Sequence, residues 1–100
     1  MADAWVYLLR CADDSLYTGW TVDLDARLRR HGEGKASAYT RSRRPVTLAL
    51  ALPMPDRSAA MREEARIKGL DRWEKLALIA AASASYPRSA RVSASARPGQ

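Results

Sequence analysis

Phenylalanine and asparagine are missing from this sequence of 100 residues, and cysteine and histidine occur once each, as Cys11 and His31. A single thiol excludes an intramolecular disulfide, and one thiol with one imidazole excludes the usual Cys/His zinc cages. Any metal site must then rest on carboxylates, which favours magnesium or manganese over zinc. No apolar run reaches the roughly 20 residues that a membrane helix needs, and MADAWVYLLR at the start has no basic region ahead of one. The chain is expected to be soluble and cytoplasmic, without a membrane partner. Acids are scarce, 11 against 17 basic residues, for a formal net charge of +6. That balance points to an anionic partner, nucleic acid first. The signal is diluted in two ways. Arginine outnumbers lysine 14 to 3, which with abundant alanine is the codon bias of a GC-rich genome. Residues 83–100 also carry Arg88, Arg91 and Arg97 and no acid, leaving the body at +3.

What is present is enough for one small domain: 47% of the residues are hydrophobic, sufficient for a core. The stretch WVYLLRCADDSLYTGW, Trp5 to Trp20, holds two strand-like runs around a polar turn, the pattern of a β-hairpin. Tyr7 and Tyr17 within it are either core aromatics or site residues. A helix follows, capped by Thr21 or Asp23, with Val22, Leu24 and Leu28 as its apolar stripe and Gly32 or Gly34 as its left-handed stop. Arg27 and His31, four apart, project from one side of it. The basic segment KASAYTRSRRP reads as a loop with a helical turn, and VTLALAL between Pro45 and Pro53 reads as a third strand. A second helix over RSAAMREEARIK stops at Gly69. A third begins at the capping-box pair Asp71 and Glu74, with Trp73, Leu76, Ala77 and Ile79 or Ala80 as its packed face. The order β-β-α-β-α-α predicts a small α+β domain over residues 1–83 with helices on an antiparallel sheet. Residues 84–100 are expected to form a basic flexible tail.

Five short motifs then fall in order. Tyr7 stands in WVY, and Tyr17-Thr18-Gly19 follows. Leu24–His31 spells LxxRLxxH, Gly34–Thr40 opens Gly-Lys and closes Tyr-Thr, and Arg62–Lys68 is similar to RREAxIK. This set resembles the GIY-YIG nuclease superfamily, and within it the small stand-alone YhbQ-like bacterial proteins, over Trp5 to Ile79. One such motif is a weak signal; five in order are a strong one. The resemblance implies a three-stranded antiparallel sheet flanked by helices and divalent-metal-dependent hydrolysis of DNA phosphodiesters. It makes Glu64 the ligand of one Mg2+ or Mn2+ ion and Arg27 the clamp on the scissile phosphate. Tyr7 and Tyr17 become the water-activating side with His31 assisting, and Gly19 the point of close backbone approach. Glu63 and Glu64 lie about 100° apart on a helix and cannot both face one site; the motif selects Glu64.

These residue types suit the chemistry. Attack on a phosphodiester builds negative charge that a fixed guanidinium and a cation stabilise. Magnesium keeps most of its waters, so one carboxylate with phosphate oxygens can hold it. A phenol, with an ordinary pKa of about 10, is a poor base unless a cation or imidazole assists it. Singly, each residue has a plainer explanation. Arg27 can be a solvated charge, Glu64 an i,i+4 partner of Lys68, and His31 a helix-end cap. The basic loop and its approach supply candidate nucleic-acid contacts at Arg30, Lys35, Tyr39, Arg41, Arg43 and Arg44, with Arg29 beside them.

Two departures stand out. The first motif keeps its tyrosine but not its name-giving glycine, and no asparagine exists to match the late-helix asparagine of many superfamily nucleases. The leading expectation is a structure-guided DNA endonuclease of repair or recombination, acting on branched or damaged DNA without a small-molecule cofactor. It either recognises DNA shape or is directed by a protein partner. The alternative is a non-catalytic nucleic-acid-binding module on the same fold, and a third is an interaction protein docking through DRWEKLALIAA.

Overall fold

The five-residue apolar run at the start of the chain becomes the middle of the sheet. In a computed structural model, which describes residues 2–85, β1 (Ala4–Arg10) lies between β2 (Leu16–Thr21) and β3 (Thr47–Met54), antiparallel to both. A central strand is covered on both faces, so it needs a nearly continuous hydrophobic run rather than alternation. Ala4, Val6 and Leu8 point to one face, where they meet Leu50, Ala60 and Ile67 in the main core. Tyr7 and Leu9 are buried on the other. A bulge between Leu8 and Leu9 shifts the pairing with β3. Pro53, which has no N–H to give a ladder, sits opposite Trp5 on this edge strand.

The hairpin turn runs through Cys11–Ser15. Asp14 adopts a left-handed φ of 71°, a conformation that Asp tolerates better than most residues. Its side chain receives Arg10 at 2.9 Å and Arg72 at 3.2 Å, and neighbouring Asp13 receives Arg43 at 3.1 Å. The turn thus ties the basic loop and the last helix to the hairpin. All of these groups are solvent-facing, so the ties give position more than stability.

The helices are α1 (Leu24–Gly32), α2 (Ala38–Arg41), α3 (Arg57–Lys68) and α4 (Arg72–Ser85). The short α2 turns the expected order into β-β-α-α-β-α-α, within the α+β class expected. Of the two candidate caps of α1, Asp23 is the one used, accepting from the Ala26 N–H at 3.1 Å. Its stop is at Gly34, with φ 78°, where the N–H groups of Gly34 and Lys35 close on the carbonyls of His31 and Arg30. The α1 stripe differs from expectation. Val22 is exposed, and His31, one turn beyond Leu28, is the helix's buried residue.

Helix α3 is capped by Asp56, lies over β1 and β2, and buries Ala60 and Ile67. Helix α4 packs against β3 and starts with a reciprocal box: the Asp71 N–H donates to Glu74 and the Glu74 N–H to Asp71, at 2.9 and 2.8 Å. Its packed face corrects the sequence expectation. Leu78, Ile79 and Ala82 meet the core, while Ala77 and Ala80 are exposed and Trp73 is 77% exposed. Of the expected face Leu76 is half-buried and Ile79 packs on the core; the half-buried positions are 75, 76, 78, 79 and 82, and Trp73 lies about 200° around the helix from Lys75. Helix α4 also continues through Ser85, past the expected domain end at residue 83; the rest of the expected tail lies outside the described residues.

Candidate active site

Tyr7 and Tyr17 share a face because of the hairpin register. Tyr7 pairs with Gly19 and Leu9 with Tyr17, so the two tyrosines are diagonal neighbours with ring centroids 6.5 Å apart. Gly19 is required by packing rather than by its φ. A Cβ there would lie 2.6 Å from the Tyr7 oxygen and 2.7 Å from the ring carbon bearing it, so the Tyr7 ring lies directly across the glycine.

His31 reaches the same face from α1. Its Nε2 is 2.8 Å from the Tyr7 hydroxyl, and its ring meets both tyrosines edge-on, at 5.5 and 5.2 Å. Its Nδ1 is 2.8 Å from Thr40 Oγ1 on α2. With 1% exposure, His31 is a core residue rather than a helix-end cap. Burial, aided by the Arg27 charge, pushes its pKa below the ordinary value. Burial also drives the Tyr7 phenol well above its ordinary value, with Tyr17 and Glu64 adding to the rise and Arg27 opposing it. At neutral pH the pair is a neutral phenol against a neutral imidazole.

Around the open edge of β2 lies a cleft of about 350 Å³. Tyr7, Tyr17 and Gly19 from the hairpin, Arg27 from α1, and Glu64 and Arg57 from α3 all line it, together with Trp20 and Thr21 at the end of β2 and Val22 after it. Among the described residues Glu64 is its only acid. The Glu64 side chain is 19% exposed and approaches Lys68 at 3.4 Å. Glu63 points elsewhere and accepts two hydrogen bonds from Arg66, at 3.0 and 2.7 Å, which hold its carboxyl below the usual range. Arg27 is half-buried, and its guanidinium makes no hydrogen bond or ion pair among the described residues.

The basic loop is folded by its own arginines. Arg30 donates to the Lys35 carbonyl, and Arg44 to the carbonyls of Arg41 and Gly32. Arg43 binds Asp13 and the Tyr39 carbonyl, and its guanidinium lies 3.8 Å over the Tyr39 ring, which stacks on Tyr17 at 5.9 Å. Lys35 and Arg41, with Arg29 of α1, are exposed and without a side-chain partner among the described residues.

Two cleft-related residues escaped sequence reasoning. Arg57 stands two helical turns before Glu64, a spacing that could have marked it. Thr40 closes the Gly34–Thr40 motif, but its partner, nine residues away, is identifiable only after folding.

Fold and cleft define the class: a single-sheet α+β domain with two phenols, two guanidinium groups and one carboxylate gathered at a sheet edge. The chain belongs to the GIY-YIG nuclease superfamily, the GIY-YIG catalytic domain matching residues 3–77. It is similar to the UPF0213 protein of Syntrophus aciditrophicus, with 48% identity over 80 residues, 79% of this chain and 92% of that one. That relative is therefore itself small and stand-alone. Two solution NMR structures match as well. UPF0213 protein BH0048 from Bacillus halodurans has 42% identity and a TM-score of 0.52, covering 77% of this chain and 82% of its own. Protein EF2693 from E. faecalis has 29% identity and a TM-score of 0.58, covering 88% and 97%.

Proposed function

We propose that this protein is a divalent-metal-dependent DNA endonuclease of the cytoplasm, guided by DNA structure and serving repair or recombination. The observation that carries this reading is the convergence of Tyr7, Tyr17, Arg27 and Glu64 on one cleft, with the Arg27 guanidinium uncommitted. Among the described residues no three His, Cys, Asp or Glu side chains are grouped to hold an ion. A lone carboxylate does not fit zinc; it fits Mg2+ or Mn2+, which retain water and share phosphate oxygens. Glu64 would hold that ion, which when bound supplies Lewis-acid stabilisation of the phosphate charge.

The chain's own residues do the rest. Arg27 binds the scissile phosphate and stabilises the charge that grows as the water oxygen bonds to phosphorus and the bond to the leaving sugar oxygen breaks. The Tyr7 oxygen takes the water's proton while its own passes to His31 Nε2; the departing sugar oxygen takes a proton from water in the open cleft, and the buried imidazolium returns its own through Tyr7 to the cleft. Tyr17 packs beside both and orients the water. Arg29, Lys35 and Arg41 meet phosphates further along the strand. Arg30, Arg43 and Arg44, with Tyr39, shape the loop that presents them.

The test is incubation with branched, nicked and linear DNA, with and without magnesium or manganese. Cleavage is expected only with metal and preferentially on non-linear DNA. Salt-sensitive binding without cleavage on any substrate would replace this reading with the non-catalytic binding module, which the missing asparagine favours.

A further inference from the structure

Thr40 is fully buried on a four-residue helix, in a loop whose evident property is positive charge. Its hydroxyl is 2.8 Å from His31 Nδ1, 3.0 Å from Ser37 Oγ and 3.4 Å from the Ser37 carbonyl. The Thr40 N–H donates to Ser37 Oγ at 3.1 Å, so the serine caps the helix and pins the threonine together. We propose that Thr40 is a positioning residue that holds His31 in the Nδ1–H tautomer, leaving Nε2 as the acceptor for the Tyr7 proton. Its catalytic use rests on the nuclease reading above; the tautomer itself does not.

The protons can be accounted for one by one. The Tyr7 hydroxyl has one hydrogen-bond partner among the described residues, His31 Nε2, and Tyr7 is 2% exposed. If Nε2 carried the hydrogen, the Tyr7 oxygen would have to accept it, and the Tyr7 hydrogen would need another acceptor, which no described residue supplies. With the hydrogen on Nδ1, every donor is used. Tyr7 donates to Nε2, Nδ1–H donates to Thr40 Oγ1, and the Thr40 hydrogen goes to Ser37. A neutral imidazole has one donor and one acceptor nitrogen, and the partner of one decides the role of the other. An unconstrained histidine side chain in water favours the opposite, Nε2–H form, so Thr40 selects the less populated tautomer. The closing threonine of the Gly34–Thr40 motif thereby acquires a function separate from the loop's charge.

His31 is the only histidine, so imidazole nitrogen NMR of the 15N-labelled full-length protein above pH 7.5 reads this one ring. The unsubstituted protein is expected to show a protonated Nδ1 and an unprotonated Nε2. Thr40→Ser keeps the hydroxyl and is expected to keep the tautomer. Thr40→Val keeps the shape, and is expected to shift the ring toward Nε2–H and to lower kcat about 10- to 100-fold with KM little changed. The serine variant is expected to restore kcat. A protonated Nε2 in the unsubstituted protein overturns the proposal without any variant, so a misfolded valine variant cannot shelter it. A valine variant with an unchanged tautomer overturns it too. If the protein cuts no DNA yet shows the Nδ1–H form and loses it with valine, the tautomer assignment stands and the nuclease reading falls.

Discussion

Glu63 and Glu64 are adjacent carboxylates with opposite commitments. Glu63 is occupied by the Arg66 fork, whereas Glu64 faces the cleft with one long contact to Lys68. Glu64→Gln preserves shape and removes charge. It is expected to abolish metal-dependent cleavage while metal-free DNA binding persists or tightens, and Glu63→Gln is expected to be nearly silent in the same assays. The tyrosines divide similarly. Tyr7→Phe deletes a buried hydrogen bond and leaves His31 Nε2 unpaired, an expected loss of about 1–2 kcal/mol in denaturant unfolding as well as of cleavage. Tyr17→Phe removes a hydroxyl with no partner among the described residues, so its melting temperature is expected to hold. The residue types and order of this site could be read along the chain. The hydrogen-bond chain from Tyr7 through His31 to Thr40 could not, because it depends on a turn of α1 delivering His31 to the sheet.

At the scale of elements, local chemistry was legible and long-range packing was not. The hairpin announced itself through Asp13-Asp14-Ser15 between two apolar runs, and α4 through the Asp71–Glu74 box, because each device is complete within a few residues. On α4 the expected Leu76 and Ile79 are half-buried, but Trp73 and Ala77 were placed on the packed face because the large Trp73 dominates the hydrophobic pattern. A ranking follows that hydrophobicity alone would reverse. Asp71→Ala removes the cap and is expected to destabilise by about 0.5–2 kcal/mol, lowering the melting temperature by roughly 4–8 °C for each kcal/mol. Trp73→Ser, at a position 77% exposed, is expected to stay within about 0.5 kcal/mol. Thermal melts of the two variants decide it.

For the molecule as a whole, charge and pH response follow from which groups are engaged. Arg27, Arg29, Lys35 and Arg41 are the cations best placed to meet phosphates, and four neutralised phosphates give a log–log salt slope of roughly −3 to −4 on duplex DNA. Filter binding across a salt series is expected to show that slope, reduced by about 1 in Arg41→Ala; a slope near zero would remove the electrostatic footing of DNA binding. The pH response of stability is expected to centre on His31. Its folded pKa is depressed, so below the ordinary value of about 6.5 the unfolded chain takes up a proton that the folded one resists. Stability is therefore complete above that value and is lost as pH falls through the folded one. Asp13, Asp14 and Glu63, also held low, lose their contributions only in the more acidic carboxylate range. Melting temperature is expected to decline as pH falls below about 6.5, and His31→Gln to flatten that decline from a lower starting value.

The cleft draws on residues from Tyr7 to Glu64, and the Asp14 turn is clasped by Arg72, 58 residues later in the chain. A ribosome adds about 5–20 residues each second. The nascent polypeptide therefore holds its phenols, guanidinium and imidazole for some seconds before the carboxylate is synthesised, and the clasp is made later still. The carboxylate is thus the last of the cleft's groups to be made, and the core beneath the cleft, which needs Ile67 of the same helix, closes only after the acid is in place.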